Sequence, residues 1–512
     1  MTGSAVRSVL ARNTVWSAVC YGVQFLTPIL MIPYIVRQVG VEVYGGVWVT
    51  LFTLASWLSF YDLGLWGSLT RDVAERKAKG DTDGLRTLWA TWFTYDVVGA
   101  SLVTSASAAA APLLVRQFAT LPHPDSVPLF IGLAMQSALG PLLRHLNCTL
   151  NGLQRLDLAN LLAILVTPLW AAGQVGSLML GYGLRGLMIN GLIFSLLQIG
   201  ILLWLVAREG YPLSFSPARF SRAECLRLIG FGWKVQATFG VSQAFRNDRV
   251  IMGQQQAAGA MIASYQFGAG IMDRLAASIT ILSSGVLSAV SDLAARGDLD
   301  RVRIVFLRGT KYHALAAFGL LGFAALFGHE LLVFWMGKPL PASVVVLRIM
   351  TAGALATAIG SCGQSVAVAL GRPGWTTFSS AAGLGATVLL YMAVGRRYDY
   401  VGLAASVSAG LALIQIIFMS GLHGFLVFRW REYVGNALIR PAVLAVPLAV
   451  VYAAWGAVAS HFPPVDNRLR AFLVLAPAFV ASALLGWVVA RAFRVIDDVD
   501  LDVLKSTGRR ST

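Results

Sequence analysis

Charge is scarce in this chain: Asp, Glu, Lys and Arg make up only 12% of its 512 residues. A soluble protein of this length needs a polar shell around its domains, and too few charged residues are present to build one. Cysteine is scarce as well. Cys20, Cys148, Cys225 and Cys362 stand far apart, mostly in apolar runs, with no CxxC or Cys/His spacing. That excludes a metal ribbon and a disulfide framework and leaves packing as their expected role. The six histidines have no metal spacing, and no Walker A lysine motif appears. No metal or cofactor is therefore expected, and ATP is not expected as the direct energy source. No connection between apolar runs is long enough to hold a soluble catalytic domain.

What the chain has in excess is apolar sequence, 57% of residues, with a mean hydropathy of +0.70. Uncharged runs long enough to cross a bilayer include 15–36, 158–180, 186–207, 441–465 and 471–490. The first is too long for a signal-peptide core and lacks a small-x-small cleavage site, so a retained helix is expected. The class is an all-α polytopic membrane protein with about fourteen transmembrane helices. The seventh, near 228–248, is the weakest. The net charge of +16 does not indicate nucleic acid, because the cations sit in short loops between apolar runs. With the N-terminus inside, most Lys and Arg fall in inside loops, so both termini are expected to be cytoplasmic.

A polar nonapeptide recurs. Ala78–Arg86 reads AKGDTDGLR and Ala295–Arg303 reads ARGDLDRVR, at an offset of 295 − 78 = 217. LQR at Leu153–Arg155 matches LGR at Leu370–Arg372 at the same offset, and Gly186–Leu187 matches Gly402–Leu403 at 216. Six spans separate the copies. The expected organisation is a six-helix lobe over 1–207, a second over 208–430, and an added helix pair with a cytoplasmic tail over 431–512. Six is even, so the lobes should be related by a pseudo-two-fold axis along the membrane normal.

Four stretches carry a family resemblance: PYIVRQVGVEVYGGVWV (33–49), YDLGLWGSLTRDVAE (61–75), LNGLQRLDLAN (150–160) and NDRVIMG (247–253). In order and spacing they resemble the polysaccharide transporter branch of the multidrug/oligosaccharidyl-lipid/polysaccharide exporter superfamily, which includes O-antigen flippases. The resemblance covers about residues 10–430. It implies a flippase of the bacterial inner membrane that moves undecaprenyl-diphosphate-linked oligosaccharide to the periplasmic leaflet for surface polysaccharide synthesis, such as lipopolysaccharide O-antigen or exopolysaccharide. Expected partners are that substrate and membrane lipids, with a polysaccharide polymerase and glycosyltransferases as further candidates. Two alternatives stand beside it: a cation-coupled multidrug antiporter of the same superfamily, and a membrane polysaccharide polymerase or ligase.

A diphosphate crossing roughly 30 Å of hydrocarbon needs cations at depth. An arginine in mid-span costs about 2.5–3.5 kcal/mol to insert, so such residues normally face a bundle interior. Arg246 and Arg249 lie three apart near the outer end of the seventh span and can share one helix face. Arg274 interrupts a long apolar run, Arg348 another, and Arg144 lies beside His145 near the inner end of span 4. These five are the candidate substrate-binding cations. Snorkelling or local ion pairs account for each equally simply. Among the acids, Asp96 is the best lone intramembrane carboxylate and a candidate for coupling to a proton or cation. Asp62, in the DLG turn, is a second candidate, with loop pairing to Arg71 as the plainer role. Asp248 and Asp273 each adjoin an arginine, so charge neutralisation is their default.

Overall fold

A computed structural model of the chain describes the backbone of residues 3–255, 257–493 and 495. Side chains 3–18, 234, 235, 242, 246, 284 and 288 are outside the described set. Among the described residues all regular structure is helical. The first half contains α1 (Gly3–Val39), α2 (Val41–Asp62), α3 (Trp66–Ala78), α4 (Thr82–Phe118), α5 (Ser126–Gly152), α6 (Leu156–Met179), α7 (Gly183–Arg208), α8 (Arg222–Ala244) and α9 (Asp248–Gln254). The second contains α10 (Gly259–Thr280), α11 (Ser283–Ala295), α12 (Leu299–Leu326), α13 (Gly328–Met336), α14 (Pro341–Ala369), α15 (Pro373–Ala393), α16 (Asp399–Phe425), α17 (Trp430–Ala459) and α18 (Arg468–Ala492).

Among the described residues, twelve spans are long and apolar enough to cross a membrane, and thirteen if α12 and α13, bent by 75°, count as one. The expected fourteen are reduced at the seventh. Helix α8 forms there over 23 residues, but Lys234, Gln236 and Gln243 lower its hydropathy below that of a membrane-crossing helix.

By contact the chain divides into two compact units, residues 1–263 and 264–512. In the first, α5 is the central helix: α3, α4 and α7 pack on it, and α6 packs on α7 and α1. Its core gathers Leu69, Leu88, Trp89, Trp92, Leu146 and Leu150, all essentially inaccessible. In the second unit α14 holds the corresponding place, packed by α11, α12 and α16, with α15 on α16. Helices α17 and α18 are added to α12 and α13 there. The four cysteines are free thiols, and all but Cys148 are buried.

The repeated nonapeptides fold alike. Gly80 (φ 67°) and Gly297 (φ 73°) each end a helix in the left-handed region, which glycine enters without steric cost. The amide of Asp81 returns to the Arg76 carbonyl, and that of Asp298 to the Leu293 carbonyl. Each aspartate then caps the next helix, accepting from the amide of Gly84 (2.8 Å) or Arg301 (3.1 Å). At the second landmark, Gln154 (φ 63°) and Gly371 (φ 74°) hold equivalent left-handed positions. The Arg155 amide reaches the Leu150 carbonyl, and the Arg372 amide that of Ala367.

Candidate functional site

The last turns of α2 tighten into a 3-10 helix over Trp57–Asp62. Leu63 (φ 47°) and Gly64 (φ 79°) then reverse the chain into α3. Asp62 is fully buried in this turn and accepts a hydrogen bond from the Gly64 amide at 3.2 Å. From α5, Arg144 Nη1 reaches Asp62 Oδ2 at 3.1 Å. Its guanidinium lies 5.7 Å from the Trp66 ring centre. The expected pairing of Asp62 with Arg71 is not what forms: Arg71 reaches Asp72, at 3.6 Å. The acid's partner comes from a helix 82 residues away, where no local spacing announces it.

His145, next to Arg144 on α5, joins the same group. Its Nδ1 lies 2.5 Å from Asp96 Oδ2 on α4, and its Nε2 lies 3.9 Å from Asp62 Oδ2. The Trp92 ring packs edge-on against the imidazole, at 5.5 Å. The Tyr61 hydroxyl donates to the carbonyls of Asp96 and Ala138, and the Tyr95 hydroxyl to that of Tyr61. Three helices, α2, α4 and α5, are thereby tied around Asp62, Asp96, Arg144 and His145. Asp62, Asp96 and His145 are sealed, while the Arg144 side chain retains 35% exposure.

Charge balance constrains this centre. Asp62 and Arg144 neutralise each other. Asp96 and His145 form a neutral pair only with one titratable proton beyond the neutral imidazole's own, either on the ring or on the carboxyl. Burying a net charge without a partner is costly, so the Asp96–His145 pair is suited to hold one proton. Asp96 Oδ1 and His145 Nε2, both buried, have no hydrogen-bond partner.

The second lobe has a counterpart with different chemistry. At the 217-residue offset Asp96 becomes His313, Arg144 becomes Ser361 and Trp66 becomes Ser283. These three meet: His313 Nε2 lies 2.8 Å from Ser283 Oγ, which lies 2.9 Å from Ser361 Oγ. The repeat thus reproduces a polar contact at the same place but puts carboxylates in only one of the two. Sequence reading placed His145 beside the candidate Arg144 but did not join it to Asp96, because that contact crosses between α4 and α5.

Helix α8 packs lengthwise on α2 and α3. At one end Arg76 pairs with Glu224 at 2.5 Å, and Arg227 with both Glu224 (2.9 Å) and Asp72 (2.8 Å). Burial would raise the Glu224 carboxyl, but hydrogen bonds and charge from Arg227 and Arg76 outweigh it and hold the acid below its ordinary range. Further along, Trp66 Nε1 donates to Gln236, Gln243 donates to the Ser56 hydroxyl, and Trp57 Nε1 donates to Asn247 at 2.6 Å.

The remaining candidates scatter. Arg249 is buried, with Nη1 2.5 Å from Asp248 Oδ1, so these two neutralise each other. Arg246 lies in the 3-10 turn Phe245–Asn247, and its side chain is outside the described set. Arg274 and Asp273 are half-buried on α10, and the Arg274 guanidinium folds back beside Gly270, one turn earlier. Arg348 is exposed and donates through Nε to the Ala325 carbonyl at 3.1 Å, next to the break between α12 and α13. It satisfies a carbonyl freed by the broken helix.

No family model matches the chain, and no curated protein matches it. Solved structures do match its fold. A lipid II flippase, MurJ, in an inward closed conformation aligns at a TM-score of 0.69 and 13% identity, over 96% of this chain and 99% of its own. An inward-facing multidrug resistance MATE family transporter of the MOP superfamily aligns at 0.59 and 13%, over 78% and 97%. A MOP superfamily transporter from Pyrococcus furiosus aligns at 0.57 and 14%, over 82% and 95%. The chain therefore shares the all-helical fold of these structures.

Proposed function

We infer that this chain is a flippase for a lipid-linked oligosaccharide, carrying a diphosphate headgroup from the cytoplasmic to the periplasmic leaflet of a bacterial inner membrane. The observation that carries this reading is the extent of the fold match. The lipid flippase covers nearly the whole chain, whereas the multidrug MATE transporter and the Pyrococcus furiosus transporter each leave roughly a fifth of it unmatched. The basic end of the helices, with the 78–86 and 295–303 turns, is the cytoplasmic end in this reading. Transport in this reading proceeds by alternating access.

Two driving forces fit. A diphosphate diester carries about two negative charges, and moving them out through 100 mV of inside-negative potential releases at most roughly 4–5 kcal/mol. The proton shared by Asp96 and His145 supplies a second, if it is released inward as the site opens. Coupling in this reading belongs to the first lobe alone, because the equivalent position in the second, His313–Ser283–Ser361, carries no carboxylate. Arg274 remains a proposed headgroup contact.

The test is flipping of a labelled lipid-linked oligosaccharide by purified protein in proteoliposomes, with imposed potassium-diffusion potentials and pH gradients. Flipping that accelerates with an inside-negative potential, and whose pH-gradient dependence disappears in Asp96→Asn, is the expected result. Absence of flipping together with proton-driven efflux of a cationic dye would establish the antiporter alternative instead.

A further inference from the structure

The second unit contains a pair of cavities that transport of a headgroup does not use. One, of about 370 Å³, is lined by Leu315, Gly319 and Phe323 of α12, Leu444 and Leu448 of α17, and Phe479 of α18, among other apolar residues. The other, of about 350 Å³, is lined by Arg308 and Lys311 of α12, Asn436 and Arg440 of α17, and Val495 just beyond α18. No carboxylate lines it among the described residues.

The two cavities form one column. On α12, residues 308, 311, 315 and 319 recur at three- and four-residue spacing and so share a face. On α17, residues 436, 440, 444 and 448 do the same, the first of them in the π-helical turn Tyr433–Ile439. Helix α18 runs from Phe479 past Ala490 and reaches the basic cavity at Val495. The α12 and α17 walls therefore pass from apolar to basic in the same direction, and the third wall ends beside the basic cavity at Val495. Arg308 to Phe323 spans 15 residues, about 22 Å of helix, close to the length of one acyl chain with its headgroup. Arg308 and Arg440 are exposed at the mouth. Lys311 is buried, its Nζ 5.2 Å from the Tyr312 ring centre, and has contacts of its own.

We propose that this column is a binding site for an anionic phospholipid, its phosphate held by Arg308 and Arg440 with Lys311 behind them, and one acyl chain lying in the groove toward Phe323. Charge complementarity selects the headgroup, since clustered cations at the end of an apolar groove favour an anionic lipid over a zwitterionic one. The groove's length selects an acyl chain over a far longer polyprenyl chain. The lipid fastens α17 and α18 to α12.

The experiment is lipid retention measured by native mass spectrometry on full-length protein exchanged into detergent with phosphatidylglycerol, phosphatidylcholine, polyprenyl phosphate or inorganic phosphate. Phosphatidylglycerol should be retained at least tenfold over phosphatidylcholine. Arg308→Ala/Arg440→Ala should lose that preference, and Arg308→Lys/Arg440→Lys should keep most of it. Gly319→Leu provides an independent arm: a side chain at Gly319 meets open space, so the variant should fold and occupy the groove in the lipid's place. Equal retention of phosphatidylcholine would overturn the proposal. So would competition by inorganic phosphate alone, or preferential displacement by polyprenyl phosphate. The chain's own acidic stretch Asp497, Asp498, Asp500 and Asp502 is the remaining rival. Uptake seen only after truncation before Asp497 would assign the cavity to that stretch and refute the lipid.

Discussion

Gly232 of α8 and Gly64, in the turn between α2 and α3, touch backbone to backbone: a methyl group on either would overlap the other's carbonyl oxygen. Overpacking of this kind costs about 1–3 kcal/mol. Gly232→Ala should therefore lower thermal stability and part α8 from α3. A cysteine at the buried Gln236, in a background without native cysteines, should then become reactive to an aqueous thiol reagent. Gly230→Ala is the control. It meets open space two residues away and should be neutral or slightly stabilising, by up to about 1 kcal/mol, through helix propensity.

Arg144 and Asp62 should respond unequally to truncation. Arg144→Ala leaves a fully buried carboxylate without its cation, a loss of about 3–5 kcal/mol for a buried pair. Asp62→Asn leaves an arginine whose side chain is already 35% exposed and can reach water or lipid headgroups, so it should cost distinctly less. Melting curves of the two variants, in one detergent, give the order directly.

The Glu224 cluster predicts an acid-sensitive seam. The folded acid titrates below its ordinary value of 4.5. Its contribution to stability is therefore complete above 4.5 and is lost as pH falls through the lower, folded value. Melting temperature should drop on acidification from about pH 5 downward more steeply in the parent than in Glu224→Gln, which starts lower and lacks this component. Parallel curves would remove Glu224 from the account.

The repeated turn after α5 and α14 supplies a reciprocal pair. Gln154 occupies a left-handed position that Gly371 holds at lower cost, and the strain for a non-glycine residue is roughly 1–2 kcal/mol. Part of that is offset by the greater freedom of glycine in the unfolded chain. Gln154→Gly should thus raise stability by up to about 1 kcal/mol, and Gly371→Gln should lower it by a similar amount, as read by denaturation midpoints.

These turns also show what a sequence reading can reach. A helix end needing a left-handed residue and an N-capping aspartate is written in adjacent letters, so Gly80–Asp81 and Gly297–Asp298 were legible. The long apolar runs were legible for the same reason. Asp96 stood out because a lone carboxylate in an apolar run is expensive. Its partner His145 did not, because a pairing across 49 residues depends on how α4 crosses α5. The contact of Arg348 with the Ala325 carbonyl was equally out of reach, because it depends on how α14 passes the break between α12 and α13. Helix α8 was read as a weak span, whereas its glutamines are turned to Trp66 and Ser56 and form a polar seam.

The turn that buries Asp62 is also a very short linkage. Only Leu63 separates that carboxylate from Gly64, and Leu63 and Gly64 are both in the left-handed region, with the Gly64 amide bound back to Asp62 itself. A turn so constrained has no slack with which to absorb a displacement at one end. Whatever alters the tie between Asp62 and Arg144 is handed on, two peptide units later, to the surface on which Gly232 rests. Ionic bookkeeping inside one bundle and the fit of a neighbouring helix are in this way a single mechanical variable, read at opposite ends of three residues.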